Sequence, residues 1–95
     1  MVPVHPGRIL KRELIARELS ANRLALALRL PSGRITDILN EKRGISPDTA
    51  LRLARYFGNS ARFWLNLQTA FELAVAEREI GSLIAEEVKP LTDAA

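Results

Sequence analysis

Apolar residues recur every three or four positions in five stretches of the 95-residue chain, and polar residues fill the positions between them. This spacing is typical of amphipathic α-helices that each bury one face. Residues that favour helix starts separate the stretches: Pro6, Ser20, Pro31, the pair Ser46-Pro47, and Ser60. The pattern therefore predicts an all-α fold of five helices.

The first and last helices have the least sharply marked ends. We expect the first to run from Pro6 to about Glu18, with an inward face formed by Ile9, Leu10, Leu14 and Ile15. The fourth should end near Phe57, because Gly58 is a common helix stop. The fifth should continue past Gly81 towards Val88 and end before Pro90. We assign residues 1–80 to one domain and residues 81–95 to a C-terminal helical extension with a flexible tail.

The second and third helices are short and meet at a tight turn. Ala25 lies where they would cross, and a shared core is predicted for Leu24, Leu28, Leu30, Ile35 and Ile38. Arg29 occupies the turn position at which glycine is usually favoured, because the backbone there is often left-handed. This is the layout of a DNA-binding helix-turn-helix. The alternative is an ordinary helical hairpin with a solvated outer face.

The polar positions of this pair supply candidate DNA contacts. Candidates for base contacts on and just after the third helix are Ser32, Gly33, Arg34, Thr36, Asp37 and Asn40, with Gly33 either permitting close backbone approach or merely tolerated. Candidates for phosphate contacts are Ser20, Asn22 and Arg23 at the start of the second helix and Lys42 and Arg43 after the third.

The charge is divided unevenly along the chain, although the total is only +3. Residues 1–62 contain twelve Lys or Arg and five Asp or Glu, a net charge of +7, whereas residues 63–95 have a net charge of −4. The basic half is the half with the helix-turn-helix, and cationic side chains that neutralise phosphates promote binding to DNA. Charge alone is also compatible with a module that binds an acidic protein.

The fifth helix carries more apolar residues than one small core requires. We predict a dimer or partner surface formed by Phe63, Trp64, Leu67 and Phe71. The alternative is that this helix closes the bundle and that Trp64 is its anchor.

Several classes of function are disfavoured by composition. The chain has no cysteine and one histidine, so we expect no metal site, no cofactor and no thiol chemistry. The acidic pairs Glu77 with Glu79 and Glu86 with Glu87 lack an apolar pocket, so we expect no catalytic residue and no enzyme activity. Without a signal peptide or a membrane span, the chain is expected to be cytoplasmic and associated with the nucleoid through DNA.

Several longer segments of the sequence resemble HigA-type antitoxins of the XRE class, including VapI-like proteins. The resemblance covers about His5 to Glu77, and its most distinctive parts are His5 to Leu10, Asn22 to Ala25, Arg34-Ile35, Asn40 to Ile45, Asp48 to Gly58, and Phe63 to Gln68. Three positions depart from the family pattern: Ala21 replaces a common DNA-contacting glutamine, Arg29 replaces a glycine, and Arg62 replaces an acid.

The resemblance implies a lambda-repressor-like helical bundle that binds its own operator DNA as a homodimer. It further implies a second partner, a small basic RelE/HigB-like toxin that cuts mRNA and that the antitoxin neutralises by direct binding. A stand-alone XRE-family repressor with no toxin partner is the alternative.

Overall fold

Five α-helices form the structure, a computed structural model that describes residues 2–92. In chain order they are α1 (Pro6–Ala16), α2 (Ala21–Leu28), α3 (Ser32–Leu39), α4 (Pro47–Phe57) and α5 (Ala61–Glu87). Residues 2–92 contain no β-strand. The prediction of an all-α, five-helix fold is confirmed.

Side-chain caps begin four of these helices. A serine Oγ accepts a hydrogen bond from a backbone N–H of the first turn in three of them: Ser20 from Arg23 at 3.1 Å, Ser46 from Thr49 at 3.3 Å, and Ser60 from Phe63 at 3.0 Å. The fourth cap is His5, whose Nδ1 accepts from the Gly7 N–H at 2.9 Å. These bonds satisfy N–H groups that have no partner within the helix, and so fix where each helix begins.

Left-handed residues end four of the helices, and three of these residues are not glycine. Their φ angles are 52° at Glu18, 60° at Arg29, 61° at Glu41 and 76° at Gly58. After α2, the Leu30 N–H donates to the Ala25 carbonyl at 3.0 Å and the Arg29 N–H donates to the Leu26 carbonyl at 3.2 Å. This is the Schellman pattern, which reverses the chain within two residues and so brings α3 directly after α2.

The core lies where all five helices meet. Its fully buried residues are Leu10 and Leu14 of α1, Leu24, Ala25 and Leu28 of α2, Ile35 and Ile38 of α3, Ile45 before α4, Ala50 and Leu53 of α4, and Trp64 of α5. Helix α3 packs between α1 and α2, while α4 packs against α2 and α5. The core predicted for the helix-turn-helix is confirmed, with Leu30 at its partly buried edge.

The prediction that Ile15 faces inward is wrong, because 69% of its surface is exposed. Leu10 and Leu14 are four residues apart and share the buried face of α1. Ile15 follows Leu10 by five residues, which places it about 140° away around the helix, where it faces solvent. Helix α1 also ends at Ala16, slightly before the predicted end at Glu18.

Helix α5 is far longer than the other four helices. Its 27 residues correspond to a length of about 40 Å, in a molecule that measures 59 × 23 × 22 Å. Only its first half packs on the core, and residues 82–92 are all exposed. The helix is continuous past residue 81, as expected, so the division between residues 80 and 81 falls inside one helix. The end of the predicted tail, residues 93–95, lies outside the described residues.

Candidate nucleic-acid interface

The outward face of α3 is the centre of the candidate interface. Gly33, Thr36, Asp37 and Asn40 follow one another at helical spacing on the side opposite the fully buried Ile35 and Ile38. No atom lies within 4 Å of the place where a Cβ on Gly33 would be, so the start of α3 is open to a ligand. The Thr36 hydroxyl donates to the Ser32 carbonyl at 3.0 Å, which leaves its oxygen available as an acceptor.

Arg34 lies on the flank of α3 rather than on this outward face. Its Nη1 is 3.7 Å from Oδ2 of Asp48, and only 31% of its side chain is exposed. Asp48 also accepts a hydrogen bond from Nε of Arg52 at 2.8 Å, and Nη1 of Arg52 donates to the Leu28 carbonyl at 2.8 Å. This chain of contacts joins the end of α2 to the starts of α3 and α4.

The charge state of Asp48 is set by the same contacts. The hydrogen bond from Arg52 lowers the pKa of Asp48 below its ordinary value; desolvation opposes this effect, and the positive charges of Arg52 and Arg34 add to it. Asp48 is therefore ionised at neutral pH, and its carboxylate attracts the guanidinium of Arg34 at the start of α3.

The predicted phosphate contacts surround α3 on two sides. Ser20, Asn22 and Arg23 are exposed at the start of α2, where the Ser20 hydroxyl serves as the cap. Lys42 and Arg43 are exposed in the loop after α3. Within residues 2–92, neither Arg23 nor the two loop cations form an ion pair. Their positive charges are therefore not neutralised by neighbouring carboxylates.

Gln68 of α5 anchors the loop that carries these two cations. Its Oε1 accepts a hydrogen bond from the Ile45 N–H at 2.7 Å. A Cβ on Gly44 would lie 2.6 to 2.7 Å from the Gln68 amide, so the backbone and this side chain are closely packed. This role of Gln68 was not predicted from the sequence. The one signal for it in the sequence is a polar residue on the apolar side of a helix.

The other end of α3 is positioned by α1. A Cβ on Gly7 would lie 2.0 Å from the Ile38 carbonyl oxygen, so only glycine allows α1 to approach α3 this closely. Nε of Arg8 is 3.1 Å from Oε2 of Glu41, just beyond α3. These two contacts were also not anticipated from the sequence, because they join residues more than 30 positions apart.

The geometry agrees with three comparisons with known proteins. Residues 10–64 match the helix-turn-helix family model HTH_3. Virulence-associated protein I of Dichelobacter nodosus is 50% identical over 84 residues, which cover 87% of this chain and 78% of that protein. A HigA-family addiction module antidote protein from Coxiella burnetii superposes with a TM-score of 0.93 at 49% identity, covering 96% of this chain and all of that one. The chain belongs to the HigA-type helix-turn-helix family.

Several solved structures of relatives include DNA. Pseudomonas aeruginosa antitoxin HigA with the higBA promoter superposes on this chain with a TM-score of 0.92 at 46% identity, covering 95% of this chain and 99% of that one. The similarity extends over α5 as well as over the helix-turn-helix, because so little of either chain is left unmatched.

The partner surface predicted for this HigA-type chain requires a correction at Trp64. Trp64 is completely buried, and its Nε1 donates to Oδ1 of Asn59 at 3.0 Å, so it is the anchor of α5 and offers no surface to a partner. Leu67 packs against the core, and Phe71 is half-buried with its ring 4.8 Å from the His5 ring. Of the four predicted residues, only Phe63 is classed as exposed.

Among residues 2–92, no group of three His, Asp or Glu side chains is arranged to hold a metal ion. No helix in the same range is long and apolar enough to cross a membrane. The acidic pairs of α5 are exposed, as expected for a solvated helix face.

Proposed function

We propose that this HigA-type chain is an antitoxin that binds the promoter of its own operon and represses it. The observation that carries the proposal is the outward face of α3, where Gly33, Thr36, Asp37 and Asn40 lie between Arg23 on one side and Lys42 and Arg43 on the other, all three unpaired within residues 2–92. An exposed polar helix between such cations has the arrangement required for major-groove binding. The DNA in the structure of the Pseudomonas aeruginosa relative supports the same interpretation.

In this proposal, different residues supply specificity and affinity. Ser32, Thr36, Asp37 and Asn40 contact base edges, and the open backbone at Gly33 lets α3 approach the groove. Asn22, Arg23, Lys42 and Arg43 contact phosphates, with Ser20 presenting the N-terminus of α2. Arg34 contacts a base or a phosphate only if the DNA competes with its ion pair to Asp48. A homodimer would place two α3 helices about 34 Å apart on a palindromic operator.

The first experiment measures DNA binding by fluorescence anisotropy on the promoter fragment of the native locus and on a scrambled fragment of equal length. We expect tighter binding to the promoter, with an affinity that decreases steeply as salt increases. Equal affinity for the two fragments would contradict sequence-specific repression and would favour the module that binds an acidic protein.

Lys42→Ala tests the proposed phosphate contacts. It should weaken binding to both fragments and reduce the slope of log K against log salt by about one. Arg78→Ala is the matched control, because it removes an exposed positive charge from α5, far from α3. An unchanged slope for Lys42→Ala would remove this residue from the interface.

The finer part of the proposal is that the chain neutralises a small basic RelE/HigB-like toxin in the cytoplasm by direct binding. Expression of the native locus with a tag on this chain should co-purify a small basic protein from the adjacent gene, identified by intact mass. That protein should be toxic when it is expressed alone. Recovery of this chain without such a protein, while it still binds its promoter, would favour a stand-alone repressor.

A further inference from the structure

The loop between α3 and α4, residues 40–46, is bonded to a helix at each end but not in its middle. At its start, the N–H groups of residues 40–42 donate to carbonyls of α3 at 2.8–3.0 Å. At its end, Ser46 caps α4. The backbone of residues 43–45 takes part in no backbone–backbone hydrogen bond within residues 2–92. Another group must therefore hold this middle segment.

Gln68 of α5 holds the segment through its side chain. Its Oε1 accepts from the Ile45 N–H at 2.7 Å, across 23 positions of the sequence. The Ile45 side chain is buried in the core, which fixes the position of this residue. Its N–H belongs to the peptide group that joins it to Gly44, so the bond to Gln68 fixes the direction in which the loop approaches the core.

The glycine at position 44 shows how closely the loop lies on Gln68. A Cβ there would be 2.6 Å from the nearest atom of the Gln68 amide. Among the glycines of residues 2–92, only Gly58 has a positive φ, so the backbone conformation does not require glycine at position 44. The lack of a side chain instead allows the loop backbone to lie against the amide of Gln68.

The two cations of the loop directly precede this contact. Lys42 and Arg43 are exposed, and neither forms an ion pair or a side-chain hydrogen bond within the described part of the chain. Their positions therefore depend on the loop backbone. A loop that is already ordered loses less conformational freedom when it binds a ligand, so its order contributes to affinity.

We propose that Gln68 is a positioning residue for DNA binding, which holds Lys42 and Arg43 where they meet phosphates. The inference rests on the proposed function, because it takes both cations as phosphate contacts. Gln68 lies on α5 and does not itself touch DNA. Its effect extends to DNA of any sequence, since phosphates carry no sequence information. If Gln68 served only to pair a buried N–H, it would stabilise the fold without changing the affinity of the folded protein.

Fluorescence anisotropy on the promoter and scrambled fragments, at a temperature at which every variant is folded by circular dichroism, tests this role. Gln68→Ala should raise the Kd for both fragments at least about fivefold, because two long side chains must then be ordered on binding. Gln68→Met should do the same, since it fills similar space without an amide acceptor. Binding within about twofold of the wild type by both variants would overturn the inference.

Asn59→Ala is the control for a general loss of stability. It also removes a side-chain acceptor from a part-buried donor, the Trp64 Nε1 at 3.0 Å, but that contact does not involve the loop. It should lower the free energy of unfolding and leave the Kd within about twofold of the wild type. A loss of affinity equal to that of Gln68→Ala would overturn the inference.

A double-mutant cycle asks whether Gln68 acts through the two cations. In a variant that carries Lys42→Ala and Arg43→Ala, the further change Gln68→Ala should alter the Kd by less than about twofold, because no cation is left to position. The salt concentration is lowered for this pair so that binding stays measurable. If Gln68→Ala still weakens binding at least fivefold in this background, the inference is overturned.

The two fragments separate this inference from the proposed function. If the wild type prefers the promoter and the Gln68 variants bind as it does, only the inference fails. If the wild type binds both fragments equally, sequence-specific repression fails, whereas a fivefold loss that disappears without Lys42 and Arg43 still supports the inference. If the wild type binds neither fragment, the proposed function is overturned and the inference with it.

Discussion

Gly7→Ala should displace α1 from α3, because the two backbones are in contact at this point. The added Cβ would lie 2.0 Å from the Ile38 carbonyl oxygen and 3.0 Å from the Ile38 carbonyl carbon. Ordinary contact begins at 3.4 Å, so the first distance must increase by 1.4 Å. Neither atom belongs to a side chain that can rotate away, and the whole start of α1 must therefore move.

The cost of this movement follows from what α1 carries. Leu10 is fully buried, and overpacking that shifts such a residue costs about 1–3 kcal/mol. Alanine in place of glycine in a helix returns about 0.5–1 kcal/mol. We expect a net loss of about 1 kcal/mol in the free energy of unfolding. For a domain of this size, each kcal/mol lowers Tm by about 4–8 °C.

Urea and thermal unfolding at one fixed protein concentration would measure this loss, since self-association of a protein makes its Tm depend on concentration. Gly81→Ala is the matched control. It lies in a helix where the nearest atom to the added Cβ, the Glu77 Cβ, is 4.0 Å away, so it should stabilise by about 0.5–1 kcal/mol. If Gly7→Ala stabilises the protein as Gly81→Ala does, the close contact with Ile38 does not fix α1 on α3.

Three further predictions concern contacts that hold the bundle together. Burial lowers the pKa of His5, with a smaller opposing effect of Glu41 and a smaller supporting effect of Arg8. Below about pH 6.5 the unfolded chain therefore binds more protons than the folded chain, and the free energy of unfolding falls. His5→Asn should keep the helix cap and make the free energy of unfolding less dependent on pH, as measured by urea titrations at pH 7.5 and 5.5. Gln68→Ala leaves the Ile45 N–H without its acceptor and should lower the free energy of unfolding by about 1–3 kcal/mol, measured by chemical unfolding. The control, exposed Thr69→Ala, should change it by no more than about 0.5 kcal/mol. A change as small as this for Gln68→Ala would contradict its role as the anchor of the loop. Glu18→Gly should raise stability by about 1 kcal/mol, because φ is 52° there and glycine adopts this conformation without strain; Glu18→Ala should give no such gain, and equal stabilities of the two variants would refute the explanation.

Local signals predicted most of the fold, because they depend on neighbouring residues. Serine hydroxyls cap the helices that Ser20, Ser46 and Ser60 were predicted to begin. The left-handed turn at Arg29 was also anticipated from its position, although the residue there is not glycine. Helix caps and tight turns are determined by a few consecutive residues, so they can be predicted from the sequence alone.

Contacts between distant residues were not predictable in the same way. Periodicity alone assigns Arg34 to the polar outward face of α3. Its pairing with Asp48 places it on the flank of the helix instead. The burial of Trp64 depends on how α4 and α5 cross, and an apolar residue on a long helix is equally compatible with core and surface. The sequence did not predict that His5 caps α1, because serine, threonine, aspartate and asparagine are the usual residues at the N-cap position of a helix.

The supports of α3 are separate from the residues that it presents. Its start contacts Asp48 of α4 through Arg34, and its end packs on α1 where Gly7 meets Ile38. The side chains of the outward residues Asp37 and Asn40 take no part in these supports, and their backbone atoms bond to Lys42 and Thr36. Substitutions of their side chains should therefore alter which operator is bound and leave the fold unchanged. A substitution of Asp48 should instead weaken binding to every operator by a similar, modest factor, because it removes an exposed ion pair, worth about 0–1 kcal/mol, that helps to position Arg34 at the start of α3.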